Sequence, residues 1–583
     1  MTSRPEKPTS AMPAWGVFPL SAPRLLRDLP IILAGLALFY ALLSMAHYWT
    51  TPVNPGAEIS LRPSALPKYA MFSVLRIALA YAVSLSFGVV YGYIAAYRRG
   101  AEQFMIPLLD ILQSIPVLSF LPVVILSMVA LFPSRQLGIE LGSILLIFTG
   151  QVWNLAFSFY SSVKSIPQEM HEVAQVYRWN RWQRFVQMEL PYAAIGLVWN
   201  SMMSVAGGWF FLIACEMFVL GDRDLRLPGL GSYLETAANA GNTRAIAWGL
   251  TVMIGAIVLI DQIIWRPVIA WAEKFKFEQV EASVVPHSPV LDLLRRSRIL
   301  PLAAAVSVRP AREYLGLYFA RKHASDLTSP RSSGTIKWIR RVMFVAAVPA
   351  IAYALVKMAI LLGALTGPEL GSIFWGAGAT FARVNLTLVL AGLWTIPVGV
   401  AVGLNPKLSA IAQPIAQVAA SVPATALFPI ILLALIRLGG GLGIGSIVLL
   451  LLGTQWYILF NVIAGAAAIP ADLKEVSKIF RFRRWERWRQ LLLPGIFPYL
   501  VTGFVTASGG AWNASIVAEY FRFRGQTFST TGLGAVISRA TEGGNFPVLL
   551  ASTILMAAMV VTMNRLVWRR LYRLAATKFK MES

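Results

Sequence analysis

The chain of 583 residues has one cysteine, Cys215, and four histidines. A lone thiol excludes an intrachain disulfide framework, and Cys215 reads as an inert core thiol. Four scattered histidines offer no cluster with metal-ligand or acid–base spacing. Charge is scarce as well: only 13% of residues are charged, 27 acidic against 51 basic. Soluble domains carry about 25%. No G-x-x-x-x-G-K-[ST] phosphate loop occurs. The run Gly439-Gly440-Gly441-Leu442-Gly443-Ile444-Gly445-Ser446 lacks the lysine and falls in a short turn between two apolar stretches. No cofactor, metal or catalytic residue is therefore expected on this chain. An intramembrane enzyme would need a His/Asp/Glu or Ser/His cluster inside the apolar segments, and none is present.

Apolar length is abundant. Hydrophobic residues make up 57% of the chain, and the mean hydropathy is +0.64. Runs long enough to cross a bilayer as helices recur, and lone strands cannot span lipid because their backbone groups would go unpaired. The expected fold is an all-α polytopic membrane protein of about twelve spans. The first six are 30–49, 71–97, 104–132, 139–161, 193–220 and 246–271. The second six are 339–364, 380–404, 409–437, 442–465, 496–521 and 547–567. The third span of each half carries prolines (Pro116 and Pro122; Pro423 and Pro429), which predict a kinked or broken helix. The net charge of +24 sits in loops between spans, as the positive-inside rule requires, so nucleic acid is not an expected partner.

The sequence repeats itself. Arg76 aligns with Arg383, Gly92 with Gly399, Pro107 with Pro414 and Pro122 with Pro429 at an offset of 307. From Trp153/Trp456 through Glu216/Glu519 to Trp265/Trp568 the offset is 303, so one four-residue gap near 132–142 separates the two registers. Gene duplication accounts for this. The expected units are an N-terminal tail (1–29), a first membrane domain (30–272), a basic linker (273–338), a second membrane domain (339–570) and a C-terminal tail (571–583). Basic tails and linker place both termini in the cytosol, which makes six spans per half and a parallel repeat about an axis along the membrane normal. Within the linker, 312–323 reads either as an interfacial helix, with Tyr314, Leu315, Leu317, Tyr318 and Phe319 toward lipid, or as a solvated tether.

The most informative repeated segment is a charged loop. The first copy, Pro167 to Pro191, begins at a proline suited to a helix start, carries Glu169 and Glu172 in its first turns, and places Val173, Val176 and Tyr177 on one stripe. The second copy repeats the plan with Pro470, Glu475, Val476, Ile479, Phe480, Trp485 and Pro494. Two short amphipathic helices follow, their stripe free to pack on the bundle or into a groove of a partner. The pattern resembles the E-A-A-x-x-x-G-A-x(5)-F-x-x-V-x-L-P coupling loop of the transmembrane subunits of binding-protein-dependent ABC importers. Glu172, Ala174, Phe185, Leu190 and Pro191 fall on it, as do Glu475, Leu493 and Pro494. Arg181-Trp182 and Arg484-Trp485, with Cys215-Glu216, Ala518-Glu519 and the two G-L-G runs (Gly229 to Gly231, Gly532 to Gly534), resemble the nitrate/sulfonate/taurine branch.

The resemblance implies a fused pair of permease domains in a bacterial inner membrane. It implies two separate ATPase subunits that hold the ATP and Mg, docking at Glu172, Val173, Ala174, Tyr177, Arg178, Arg181, Trp182 and Pro191 and at Glu475, Val476, Phe480, Arg481, Arg484, Trp485 and Pro494. It also implies a soluble or lipid-anchored substrate-binding protein and a small anionic solute as cargo. The family's turn glycine is Arg178 here and Arg481 in the second copy, so the turn is expected either to be reshaped or to run on as a longer helix.

Ionisable residues inside spans are functional candidates. Arg76, Glu216, Arg383 and Glu519 are expected near the outer side as a Glu–Arg pair in each half, serving a gate or contacting substrate. Trp209 and Trp512, beside Gly207-Gly208 and Gly509-Gly510, either line a pathway or sit at close helix contacts. Asp261 reads as packing near the cytosolic end. Outer arginines Arg223, Arg226, Arg522 and Arg524 suit an anion or a binding-protein contact. The competing functions are an ATP-independent secondary transporter or channel, and an exporter.

Overall fold

The computed structural model describes residues 22–52, 58–133, 135–220, 223–275, 289–297, short pieces between 301 and 353, and then 355–437, 441–523 and 526–578. Among these, nine helices are long and apolar enough to cross a membrane. The first half contributes Leu29–Thr50, Pro63–Tyr97, Leu137–Lys164, Arg181–Glu216 and Thr243–Ala272. The second contributes Gly367–Leu404, Leu442–Ala468, Arg484–Ala518 and Phe546–Ala575.

Twelve unbroken spans are not what the described residues contain. The expected spans 104–132 and 409–437 are each broken at a proline. Helix Arg99–Ser114 ends where Ile115 turns extended (ψ 123°) ahead of Pro116, and a 3-10 turn, Val117–Phe120, leads into Leu121–Leu131. Helix Pro406–Ser421 ends at an extended Val422 (ψ 117°) ahead of Pro423, and Ala424–Arg437 follows. The proline ring excludes the helical region for the residue before it. The expected span 339–364 falls largely outside the described residues. Helix Gly367–Leu404 starts well before the expected position 380: Glu369 accepts the Thr366 N–H at 2.9 Å in a capping box, which nucleates a helix through a stretch whose glycines look like loop.

The halves are built alike down to their irregularities. One-turn π-helices occur at Phe185–Glu189 and Asp261–Trp265 in the first half, and at Trp488–Leu492 and Asn564–Trp568 in the second, in repeat register. Helices Leu190–Glu216 and Leu493–Ala518 run from the charged loops for about 40 Å to a small antiparallel hairpin. These hairpins, Val219–Leu220 with Arg223–Asp224 and Tyr520–Phe523 with Gln526–Ser529, and a single bridge between Pro52 and Arg135 are the β-structure among the described residues.

Contacts between halves are reciprocal. Helix Leu230–Asn239 touches the second hairpin while Leu533–Glu542 touches the first; Thr243–Ile260 meets Pro406–Ser421 while Phe546–Met563 meets Arg99–Ser114. Both hairpins therefore share one end of the bundle. The 3-10 turn interlocks the halves, since Val117 N–H donates to Asn513 Oδ1 at 2.6 Å.

Within each half, helices Leu66–Tyr97, Leu137–Lys164 and Leu190–Glu216, and their counterparts, pack closely because small residues face one another. A Cβ on Gly92 would lie 2.9 Å from the Ala156 carbonyl oxygen and 3.0 Å from the Tyr160 nitrogen, both backbone atoms that cannot swing away. Gly92→Val is expected to cost about 1–3 kcal/mol of stability through overpacking, read as a lowered thermal midpoint of the purified protein. Gly255→Val, where nothing lies within 4 Å of the added carbon, should leave that midpoint unchanged.

Candidate functional site

Two features repeat in the halves, a buried charge cluster at the hairpin end and a loop at the opposite end, and a cavity lies between the halves. In the first cluster, Arg76 is fully enclosed. Its Nε and Nη2 donate to both oxygens of Glu140 (2.7 and 2.6 Å), and its Nη1 donates to Glu216 Oε1 (2.7 Å) and to the Pro228 carbonyl (2.9 Å). Glu216 also accepts from Ser73 Oγ and Gly231 N–H, each at 2.7 Å. The second cluster repeats the design: Arg383 pairs with Glu519 and donates to the Thr531 carbonyl at 2.9 Å, while Glu519 accepts from Thr380 Oγ1 and Gly534 N–H at 2.8 Å.

The G-L-G runs acquire a reason here. The glutamate carboxylate occupies the space that a Cβ on Gly229 or Gly532 would need, and it receives an N–H from the first turn of helix Leu230–Asn239 or Leu533–Glu542. A carboxylate at a helix N-terminus is favoured by the aligned peptide dipoles. Each cluster thus ties a long helix (Leu66–Tyr97 or Gly367–Leu404), the end of helix Leu190–Glu216 or Leu493–Ala518, and the short helix Leu230–Asn239 or Leu533–Glu542 into one joint.

Sequence reasoning missed Glu140, Ser73 and Thr380. Glu140 was hidden because the repeat register matches it with Gly443, so the first cluster holds two acids and the second only one. The signal available was an acid in the first turn of an apolar helix. Of the outer arginines, Arg226 pairs with Asp224 at 2.5 Å. Burial opposes ionisation of the Asp224 carboxyl, but the hydrogen bonds and charge of Arg226 outweigh it and hold the group below its ordinary value. Arg524 lies outside the described residues.

At the other end, helices Gln168–Val176 and Ala471–Ile479 form the two loops. The turns neither run on as longer helices nor change shape to suit arginine. Arg178 and Arg481 sit at φ 50° and 47°, the left-handed region a glycine would take. Trp179 N–H donates back to the Ala174 carbonyl and Phe482 N–H to Ser477, both at 3.0 Å, and Arg178 N–H reaches Gln175 at 2.9 Å, the bonds of a Schellman C-cap. Ala174 is buried beneath the first turn; Glu172, Val173, Tyr177, Arg178 and Arg181 are exposed, as are Glu475, Val476, Phe480, Arg481, Arg484 and Trp485. Pro191 and Pro494 occupy the first turn of the following long helices.

The cavity, of about 1140 Å³, lies between the halves. Asn154, Asn200 and Trp209 line it from the first half and Asn461, Thr506 and Arg569 from the second. Trp512, in contrast, is buried beside Phe381 and outside the lining. Asp261, read as packing near the cytosolic end, lines the cavity and pairs with Arg266 at 3.5 Å.

Two outcomes follow. Arg76→Met leaves two carboxylates buried without their cation and is expected to cost about 3–5 kcal/mol, measured as loss of thermal stability; Arg383→Met, at a partly exposed site with one acid, should cost less. Arg178→Gly is expected to keep or raise stability, and Arg178→Val to lower it by about 1–2 kcal/mol, because a branched side chain fits the left-handed region worst.

Known proteins share this pattern. The family described as "Binding-protein-dependent transport system inner membrane component" matches residues 88–264 and again 395–579. A nitrate import permease protein of Leptolyngbya laminosa is 27% identical over 195 residues, 33% of this chain and 66% of its own length. A bicarbonate transport system permease protein of Synechococcus elongatus is 28% identical over 195 residues, 33% of this chain and 67% of its own. A taurine transport system permease protein of Escherichia coli is 28% identical over 204 residues, 34% and 67%. This chain therefore spans about two thirds of the length of each relative, and each relative spans about one third of this chain. The chain belongs to the family of inner-membrane components of binding-protein-dependent transport systems, as a tandem permease of the nitrate-, sulfonate- and taurine-like ABC importers.

Proposed function

We propose that this chain is the complete membrane pathway of an ATP-driven importer, one polypeptide supplying both halves of the pore. Residues 30–272 and 339–570 form the two permease units, joined by 273–338, with the tails 1–29 and 571–583 and both termini in the cytosol of a bacterium. The observation that carries this reading is the pair of matched loops, each with an exposed apolar tip (Val176 79% and Ile479 75% exposed) at the end of the bundle away from the hairpins. Exposed Val, Ile, Tyr and Phe on a rigid turn are what a partner's cleft binds.

Two separate ATPase subunits, which hold the ATP and Mg, seat these tips. When the subunits close, the loops are drawn together, and each loop is continuous with a long helix of the cavity wall, Leu190–Glu216 or Leu493–Ala518. The wall helices end in the Arg–Glu joints, so a movement at the loop is delivered to the hairpin end as a rigid tilt. The cavity then alternates between the two sides, and a soluble or lipid-anchored binding protein presents cargo at the hairpins.

The cargo is a small anion. Amides and hydroxyls in the lining, together with Arg565 and Arg569, bind an anion through hydrogen bonds and charge. The relatives' names fit this chemistry: nitrate and bicarbonate are small anions, and taurine carries an anionic sulfonate group.

Glu172→Arg combined with Glu475→Arg is expected to uncouple the complex. Uptake into inverted-control-matched vesicles should fall at least about tenfold while the membrane chain keeps its thermal midpoint. Undiminished ATP-dependent uptake in that double variant overturns the docking assignment.

A further inference from the structure

The two loops share a backbone but not surroundings. Trp182 stacks with two rings: Phe185 (centroids 5.9 Å, planes 28° apart) and Phe319, from the helical linker residues 313–319 (5.7 Å, 5°). Phe185 continues the column inward to Tyr93 and to the fully buried Phe159. Phe319, half-buried, thus rests against the first loop. Trp485, at the matching position of the second loop, is 76% exposed.

The anchoring differs too. Glu189 accepts from the Tyr97 hydroxyl at 2.5 Å and from Arg184 Nε at 2.9 Å, and the Arg184 guanidinium lies 4.7 Å from the centre of the Tyr97 ring. The repeat register replaces Tyr97 with Leu404 and Glu189 with Leu492, while Arg184 becomes Arg487. Charge differs as well. Residues 167–191 carry three basic and three acidic side chains; 470–494 carry seven and three.

We propose that the loops are unequal seats for the nucleotide-binding subunits. The second-half loop is the primary seat, for a subunit whose cleft offers an apolar pocket to Trp485 inside an acidic rim. The first-half loop is a weaker seat, narrowed by residues 313–319. This rests on the coupling reading above. An exposed tryptophan is the side chain most often found as an interface anchor, and the excess positive charge draws an acidic partner and speeds its arrival. Trp182 is half-buried and already stacks with Phe185 and Phe319. The cytosolic preference for basic residues cannot choose between two loops on the same side, so it leaves the difference of four charges unexplained. Assembly accordingly begins at the second half.

The test uses the full-length chain in nanodiscs and the ATPase subunits that purify with it. Val176→Cys and Ile479→Cys, both exposed, carry a short cross-linker in separate variants, and the subunit is titrated. Cross-linking at 479 is expected to saturate at about tenfold lower subunit concentration than at 176. Trp485→Ala should weaken it about 30-fold, the loss of one anchor residue of about 2 kcal/mol. Phe319→Ala should strengthen cross-linking at 176, and added salt should weaken 479 more than 176. Equal saturation at the two positions overturns the inequality while leaving the coupling reading in place. So does labelling of Trp485 by a photoactivatable lipid, which would make the membrane its occupant. Absence of any cross-link from either position in a complex that still co-purifies overturns the coupling reading itself.

Discussion

Everything in this bundle is organised around the cost of a charge away from water. An isolated guanidinium or carboxylate in a low-dielectric interior is penalised by several kcal/mol even after relaxation. Arg76, Glu140 and Glu216 are all enclosed, so each is tolerable only while the other two hold their places. That mutual dependence turns three side chains into a structural joint. A cluster of leucines would be as stable and would slide; a bidentate Arg–Glu contact with a backbone carbonyl and two further donors has one arrangement. The glycines beside it, Gly229 and Gly532, keep the space the carboxylates need. The joint fixes where each long wall helix ends, and the rest of the half is positioned from there.

The coupling loops show the complementary economy. Arg178 and Arg481 hold a left-handed backbone that costs roughly 1–2 kcal/mol in an L-residue, and they do so at both copies. The C-cap bonds made around them satisfy the carbonyls at the end of helices Gln168–Val176 and Ala471–Ile479. Those bonds outweigh the strain, which is why the turn keeps a glycine-type geometry with a cationic side chain displayed at its tip. The basic tip repeats in both halves on the same backbone turn.

Much of this was legible in the sequence because repetition separates pattern from accident. The offset pairs located both loops, the Arg76/Glu216 and Arg383/Glu519 pairs and the G-L-G runs before any coordinates. The same repetition concealed what only one half possesses. Glu140 aligns with Gly443, and the Phe319–Trp182 stack has no counterpart among the described residues of the other half, so alignment gave them no weight. Helix breaks at Pro116 and Pro423 were visible; their severity was not, since whether a proline kinks or splits a helix depends on what satisfies the freed backbone nearby. The hairpins after Glu216 and Glu519 are too short for alternation to register. The one-turn π-helix that starts at Asp261 was not legible, because sequence periodicity assumes 3.6 residues per turn and the chain departs from that here.

The paired π-turns carry a historical meaning. Each adds one residue within a helix, and such an insertion is costly unless its surroundings adjust to the shifted face. Two independent halves acquiring the same two insertions at the same positions would require four separate events with matching compensation. A single ancestor that already carried both, later copied end to end, requires two. The bulges at 185–189 and 488–492, and at 261–265 and 564–568, are therefore older than the fusion. The ancestral half had its irregular helices before it had a twin, and what diverged afterwards is the part that tells one half from the other.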